Sequence, residues 1–291
     1  MKIFKYFFEF VSVISLFSIF KIIGLRNASM LGSILGKYLG PLFRSSHLIK
    51  SNIKIGLGEI TEEKEKEIIN GMWSNIGRTF SEYIFLKNFR YNNPNTNRIK
   101  INGSKFLEEI KNNNESVIFY SGHFANFELM AMELDKFGIK CAAIYRPLNN
   151  FFLNPVMEYL RMKYICTNQI KKGRKGMREI VNKIKNGYSI ALMVDQRVSE
   201  GPRELFFNKP AHTTTIPAQL ALKYNCRLVP ISLRRIDDVK FEITIYEPYK
   251  VNRTDNDNED SKRITLKINQ DLEKMITKNP TQWIWSHNRW K

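Results

Sequence analysis

Cysteine is nearly absent from this 291-residue sequence: only Cys141, Cys166 and Cys226 occur, far apart and with no C-x-x-C spacing. Three cannot all pair, so neither a disulfide framework nor a zinc site is indicated, and each thiol is expected to be a small core residue in a reducing compartment. Histidine is scarce as well, with four residues. Acidic residues are few, 28 Asp and Glu against 46 Lys and Arg, which leaves a net charge of +18. That excess predicts attraction to a polyanion: an anionic membrane surface, an acidic protein or nucleic acid. Part of it has a blander source, since the chain is rich in Lys, Asn and Ile, as A+T-biased coding would make it. No nucleic-acid fold signature accompanies the charge, so nucleic acid is not expected as a partner. With 43% hydrophobic and 25% charged residues the chain reads as a packed globular protein, which sets disorder aside.

A long uncharged run is also missing. Residues 1–24 are apolar apart from Lys2, Lys5, Glu9, Lys21 and three serines, but the strictly uncharged core extends only from Phe10 to Phe20. That is short of the roughly 20 residues that span a bilayer. Glu9, Ser12, Ser15, Ser18 and Lys21 recur every third residue, and at about 100° per residue they wind around a helix and leave no lasting wet face. The pattern favours a membrane anchor helix, with a buried core helix and a signal peptide as the other readings; no A-x-A-like cleavage site follows Ile23. A second apolar segment, Ser29–Phe43, carries Gly32, Gly36 and Gly40 at intervals of four, a smooth strip for close helix packing in a membrane or in a soluble core.

From Thr61 the periodicity of Ile68, Ile69, Met72, Trp73, Ile76, Phe80 and Ile84 predicts a long helix with Glu62 and Glu63 in its first turn. The Asn-rich stretch Tyr91–Arg98 reads as a loop. Strands are then expected at Ser116–Tyr120, Cys141–Tyr145, Tyr188–Val194, Cys226–Leu233 and Lys240–Glu247. They alternate with helices near Phe127–Phe137, Phe151–Lys163, Met177–Lys185 and Ile216–Tyr224. Asn252–Asp260 reads as a surface loop before a last helix near Ile264–Lys278. The expectation is an α/β fold, a mixed sheet flanked by helices with an N-terminal membrane-associated helix. It divides into an anchor at 1–24, a helical region at 25–98 and a catalytic domain at 99–291.

His123 stands directly after the apolar strand Ser116–Tyr120, in Ser121-Gly122-His123-Phe124-Ala125-Asn126-Phe127-Glu128. Open α/β sheets place their sites at such strand ends. Glu128 lies five residues on, about 140° away in an unbroken helix. His123 is therefore expected in the loop, with Glu128 just inside the helix and reaching back to the ring. A carboxylate accepting from Nδ1–H would leave Nε2 free as a base and stabilise the imidazolium formed when it takes a proton. A strand-end His with a nearby Glu serving only structure is the other reading of these residues alone.

This segment resembles the H-x4-D/E motif of glycerolipid-type acyltransferases, and further landmarks resemble the lipid A late (lauroyl/myristoyl-type) acyltransferases. Tyr145-Arg146-Pro147 with Asn150 is similar to that family's Y-R-P-x-x-N box, and Arg161 to an arginine that follows it. Val194-Asp195-Gln196 resembles the D-Q-D box, and Thr213-Thr214-Thr215 with Ala218 and Leu220-Ala221 resembles the helix start after it. The close from Pro280 to Lys291 is similar to P-E-Q-Y-x-W-x-H-R-R-F-K. Arg197 departs from the second Asp of D-Q-D, and Thr281 and Asn288 stand where Glu and Arg are usual.

The resemblance implies transfer of a fatty acyl chain from an acyl carrier protein thioester to a hydroxyl of a lipid A precursor. It places the enzyme at the cytoplasmic side of the inner membrane, with no metal or organic cofactor. His123 would be the general base oriented by Glu128, and Arg146, Asn150, Arg161, Asp195 and Gln196 would bind substrate. Another membrane lipid, such as a glycolipid or a lysophospholipid, is the alternative acceptor. A thioester is reactive enough that direct attack by the activated hydroxyl suffices, without an acyl-enzyme. Backbone N–H groups around Gly122–His123, or a nearby cation, would meet the oxyanion. The basic run Lys171-Lys172-Gly173-Arg174-Lys175 suits an anionic membrane or an acidic carrier protein, though such runs are more often plain solvated surface. His287, Trp283 and Trp285 are expected to pack the last helix.

Overall fold

The computed structural model describes residues 2–91 and 98–291; most of the loop expected at Tyr91–Arg98 lies outside them. In chain order the structure runs α1 (Lys2–Phe43), α2 (Ser46–Leu57), α3 (Glu62–Glu82), a 3-10 turn at Tyr83–Phe85 and α4 (Leu86–Arg90). It continues β1 (Ile99–Asn102), α5 (Ser104–Asn112), β2 (Ile118–Ser121), α6 (Glu128–Phe137), β3 (Cys141–Tyr145), α7 (Leu153–Tyr164), β4 (Asn168–Lys171), α8 (Arg174–Lys185) and β5 (Ser189–Met193). The hairpin β6 (Arg203–Phe206) and β7 (Lys209–His212) follows, then α9 (Ile216–Tyr224), β8 (Leu228–Asp237), β9 (Lys240–Ile245) and α10 (Asp257–Lys278).

Seven strands form one mixed sheet in the order β1-β9-β8-β2-β5-β3-β4. β8, β2, β5, β3 and β4 are mutually parallel, and β9 turns back antiparallel on β8. The central strands are mainly apolar and buried, with all of β2 and Ser189–Leu192 of β5 covered, as a sheet covered on both faces requires. α9 packs on β2, α6 on β3, α7 and α8 on β4, and α10 on β8. The three cysteines are free and buried.

The expected strands recur within two residues at their starts, and the strand Cys141–Tyr145 and the helix Ile216–Tyr224 keep their bounds. Three differences have physical causes. β1 and β4 are four-residue edge strands, too short and too polar to show a pattern. The β6–β7 hairpin turns on Phe207 and Asn208, both at positive φ, and this pair lacks the Asn-Gly composition that normally signals such a turn. The last helix begins at Asp257 rather than near Ile264, because the Asn256 side chain accepts from the N–H groups of Asn258 and Glu259. What reads as an acidic loop ends in a capped first helical turn whose carboxylates suit the dipole.

α1 is two helices meeting at Gly24, whose φ of 80° breaks the helical path. In the first part Phe17 and Phe20 pack on Phe80 of α3, while Ile3, Phe4, Phe7, Phe8, Val11, Ile19 and Ile22 stay exposed. The glycine strip of the second part serves packing inside the chain. A Cβ on Gly36 or Gly40 would run into Trp73 of α3, and Gly32 faces Gly77.

One buried carboxylate ties the helical region to the sheet. Glu82, at the end of α3, accepts from Arg235 Nη1 at 2.6 Å and Nη2 at 3.1 Å, from Ser29 Oγ at 2.7 Å and from Asn126 Nδ2 at 3.0 Å. Arg235 comes from β8, Ser29 from α1 and Asn126 from the loop after β2. Removing one member of a buried pair strands the other charge, at a cost of about 3–5 kcal/mol. Glu82→Gln should therefore lower the unfolding free energy of the detergent-solubilised chain by that order in a urea titration. The solvent-facing pair Arg234–Glu242 provides the contrast: Arg234→Gln should cost less than about 1 kcal/mol.

Candidate active site

Four neighbouring parallel strands deliver residues to one edge of the sheet. β2 leads to His123, β5 to Asp195, Gln196 and Arg197, β3 to Arg146 and β4 to Lys172. A cavity of about 430 Å³ opens there, lined by His123, Glu128, Arg146, Arg161, Gln196 and His287, with Met130, Ala143, Leu192 and Ile216 among its apolar walls.

Asp195 is the fixed point of this site. It is buried, and its carboxylate accepts from His123 Nδ1 at 2.7 Å, from the His123 backbone N–H at 2.8 Å and from Trp283 Nε1 at 2.8 Å. Burial works against its charge, but His123 and these hydrogen bonds prevail and hold it down to about 2. An ionised Asp195 accepts only, so Nδ1 carries the ring proton and Nε2 is left as an acceptor. The Gln196 amide lies 3.5 Å from Nε2, and the Phe127 ring meets the imidazole edge-on at 4.6 Å.

The carboxylate on Nδ1 is therefore Asp195, which corrects the expectation that Glu128 orients the ring by reaching back to it. Glu128 Oε1 instead accepts from Arg161 Nε at 3.1 Å, from Arg161 Nη2 at 2.6 Å and from Tyr83 Oη at 3.2 Å. The guanidinium sits between the rings of Tyr83 and Tyr145, 5.8 and 5.4 Å from their centroids. Starting α6 at Glu128 turns its side chain toward α7 and the 3-10 turn at Tyr83–Phe85, where two-pronged donation from Arg161 is available. Glu128 acts on His123 through charge. Burial disfavours the imidazolium, but Asp195, and Glu128 more weakly, outweigh it and raise the pKa of His123 above its ordinary value.

The cavity gathers Arg146, Arg161 and Gln196 as expected, but not Asn150. That residue is buried: its Oδ1 accepts from the N–H groups of Phe152 and Leu153 at the start of α7, and its Nδ2 donates to Tyr6 O and Glu9 Oε2 of α1. It joins the first helix to the loop beside the cavity. Gly122 is required by packing, since a Cβ there would press on the Phe124 ring and sit 3.2 Å from Asp195 Oδ2. The His123, Phe124 and Ala125 N–H groups are given to Asp195, Gly122 O and Gln282 O.

Sequence reasoning missed the part played by the C-terminal segment. Trp283 reaches Asp195 instead of only packing. His287 lines the cavity, burial holds it down to about 4 and hence neutral, and its Nδ1 is buried with no partner. Arg289 is fully buried and donates to Gln196 O, His212 O and Thr213 Oγ1, pinning the segment after β5. Tyr83 escaped notice too, because nothing in sequence ties it to Glu128. The resemblance of the chain's close to a motif was the available signal for Trp283, His287 and Arg289. Among the described residues no cluster of three His, Cys, Asp or Glu side chains is arranged to hold a metal ion.

A base must be unprotonated to act, so a raised pKa delays its appearance as pH climbs. If His123 is that base, kcat/KM should fall as pH drops through a point above the ordinary histidine value of about 6.5. Asp195→Asn removes the dominant partner and leaves burial opposing the charged ring. This limb should move to lower pH while the plateau rate falls by about 10²-fold or more. A pH–rate profile of both proteins checks this.

The whole chain, residues 1–291, matches the family model for bacterial lipid A biosynthesis acyltransferases. It is similar to the lipid A biosynthesis lauroyltransferase of Escherichia coli (strain K12), with 24% identity over 90% of this chain and 84% of that protein. The myristoyltransferase of the same strain is 24% identical over 86% of this chain and 77% of its own length. Lipid A biosynthesis acyltransferase 2 of Shigella flexneri is 22% identical over 86% and 79%. With the ordered boxes gathered around His123, the chain belongs to the bacterial lipid A biosynthesis acyltransferase family.

Proposed function

We propose that this enzyme moves a fatty acyl chain from an acyl carrier protein thioester to a hydroxyl of a lipid A precursor, with His123 as general base. The observation that carries the reading is the His123–Asp195 pair, 2.7 Å from Nδ1 to the carboxylate, with His123 lining a cavity at the strand ends. An alcohol does not ionise near neutral pH, so its proton must leave as the thioester carbonyl is attacked. Nε2 accepts that proton, and Asp195 stabilises the imidazolium. The tetrahedral intermediate expels the thiolate, which recovers the proton from His123. With the His123, Phe124 and Ala125 N–H groups engaged, we assign the oxyanion to side chains: the Gln196 amide and the Arg161 guanidinium, which Glu128 and two tyrosine rings hold in place.

The first helix supports a membrane setting at the cytoplasmic side of the inner membrane. It is long and apolar enough to cross a bilayer. Its start touches the cavity-side loop through Asn150 and through Tyr6, Phe7 and Phe10 against Phe151 and Phe152. Exposed apolar side chains continue past the Gly24 break to Met30, Ile34, Tyr38, Leu42 and Phe43. A lipid acceptor drawn from the bilayer would then reach the site without leaving apolar contact. The net charge of +18 suits anionic headgroups and an acidic carrier protein.

His123→Ala should lower kcat by about 10²–10⁴-fold with an acyl carrier protein donor and a lipid A precursor. Glu128→Gln should lose less, since Glu128 acts through Arg161. Mass spectrometry of the lipid product, with circular dichroism to verify folding, reads both outcomes. Deleting residues 2–23 should shift much of the protein from the pelleted membrane fraction to the supernatant. Activity on detergent-dispersed substrate should partly survive.

A further inference from the structure

Arg161 is neutralised by Glu128, and among the described residues Glu128 is the only carboxylate lining the cavity. Three other cations line it: Arg146, Lys172 and Arg197. None of the three makes an ion pair or a side-chain hydrogen bond among the described residues, although ion pairs are frequent elsewhere among them. Their closeness is built into the sheet. Tyr145 and Lys171 are register partners at the ends of β3 and β4, and the Lys172 N–H donates to Tyr145 O at 2.8 Å. Arg146 and Lys172 therefore leave adjacent strand ends side by side. The preceding residues are already partnered: Tyr145 Oη and Lys171 Nζ both go to Glu158, at 2.6 and 2.9 Å. Glu158 serves that pair and does not line the cavity. Arg197 enters from β5, and its Nε is buried with no hydrogen-bond partner.

Like charges brought together without counter-charges repel, and a buried donor left unmet costs free energy. The start of α8 adds to the field, since Arg174 and Lys175 occupy its first turn, at the positive end of the dipole. We infer that Arg146, Lys172 and Arg197 form a phosphate subsite beside His123, which holds a phosphate group of one of the two substrates while its acyl or hydroxyl group reaches the base. The site suits phosphate better than carboxylate, because three cations from separate strand ends match the several oxygens of a dianion and guanidinium binds it in two-pronged fashion. This inference rests on the acyl-transfer reading of the same cavity. The phosphate could belong to the donor's prosthetic arm or to the acceptor's sugar; the chemistry is shared.

The test uses the full chain in neutral detergent micelles and inorganic pyrophosphate as probe. Isothermal titration calorimetry should show pyrophosphate binding to the wild type, weakened about 10-fold or more by Arg197→Gln and by Lys172→Gln, since charge-assisted contacts are the strong ones. Lys172 is exposed, so its variant isolates the charge should Arg197→Gln fold poorly. Lys274→Gln, outside the cavity, should bind as wild type does. In steady-state assays pyrophosphate should compete with the substrate that carries the phosphate, and the same variants should raise KM for that substrate more than they lower kcat. Competition against the donor assigns the group to its prosthetic arm, and competition against the acceptor assigns it to the sugar. Absent pyrophosphate binding, or equal binding by both cavity variants, would overturn the subsite. Binding that depends on these residues in a protein with no acyl transfer would instead retain the subsite and overturn the transferase mechanism.

Discussion

The site depends on a buried carboxylate that is kept ionised. Asp195 sits under the sheet edge with no solvent to support its charge, and three N–H donors supply what water would. Each donor comes from a part of the chain that would otherwise be free to drift. The His123 backbone and ring lie after β2, and the Trp283 indole belongs to the C-terminal segment. An unpaired charge in such a place costs several kcal/mol, so these segments are held to Asp195 by the penalty of separating from it. The same contact fixes the imidazole tautomer. Structure and chemistry therefore share one interaction.

The His123 loop is gripped from its other side by the helical region. Asn75 and Thr79 of α3 both donate to Ala125 O, at 3.1 and 3.0 Å, and Ala125 itself has a φ of 45°, a conformation that needs surrounding contacts to persist. Asn126 reaches Glu82 on the same helix. α2 takes part as well, since Asn52 donates to Trp285 O and His287 O at 2.7 and 2.9 Å. A segment that reads as a mere lead-in thus clamps the His123 loop and the C-terminal segment. The glycine contacts between α1 and α3 then carry the exposed apolar helix to the same body.

Charge is distributed in the same economical way. Many cations on this chain of net charge +18 pair with a carboxylate, whereas the cavity keeps three, Arg146, Lys172 and Arg197, with no carboxylate partner among the described residues. Arg289 shows the opposite treatment of a buried cation. Burial lowers it to about 10, and its Nη atoms donate to carbonyl and hydroxyl oxygens while the guanidinium lies over the Phe206 ring. One kind of arginine holds the strand end in place, and the other lines the space where a substrate would lie.

The sequence alone determined the alternation of strands and helices, because apolar periodicity reports directly on which faces are buried. It also determined that His123 lies just past a strand and that the first 24 residues favour an apolar environment, and its ordered boxes identified the family. Short-range pattern could not supply β1, β4 and the β6–β7 hairpin, whose residues are held by neighbours distant in sequence rather than by local preference. Nor could it choose the partner of His123. Glu128 is five residues away and Asp195 seventy-two, yet parallel pairing of β2 with β5 brings Asp195 to the ring, while the start of α6 carries Glu128 to Arg161. Which carboxylate touches His123 is decided by strand order, a property of the assembled sheet that spacing along the chain does not encode.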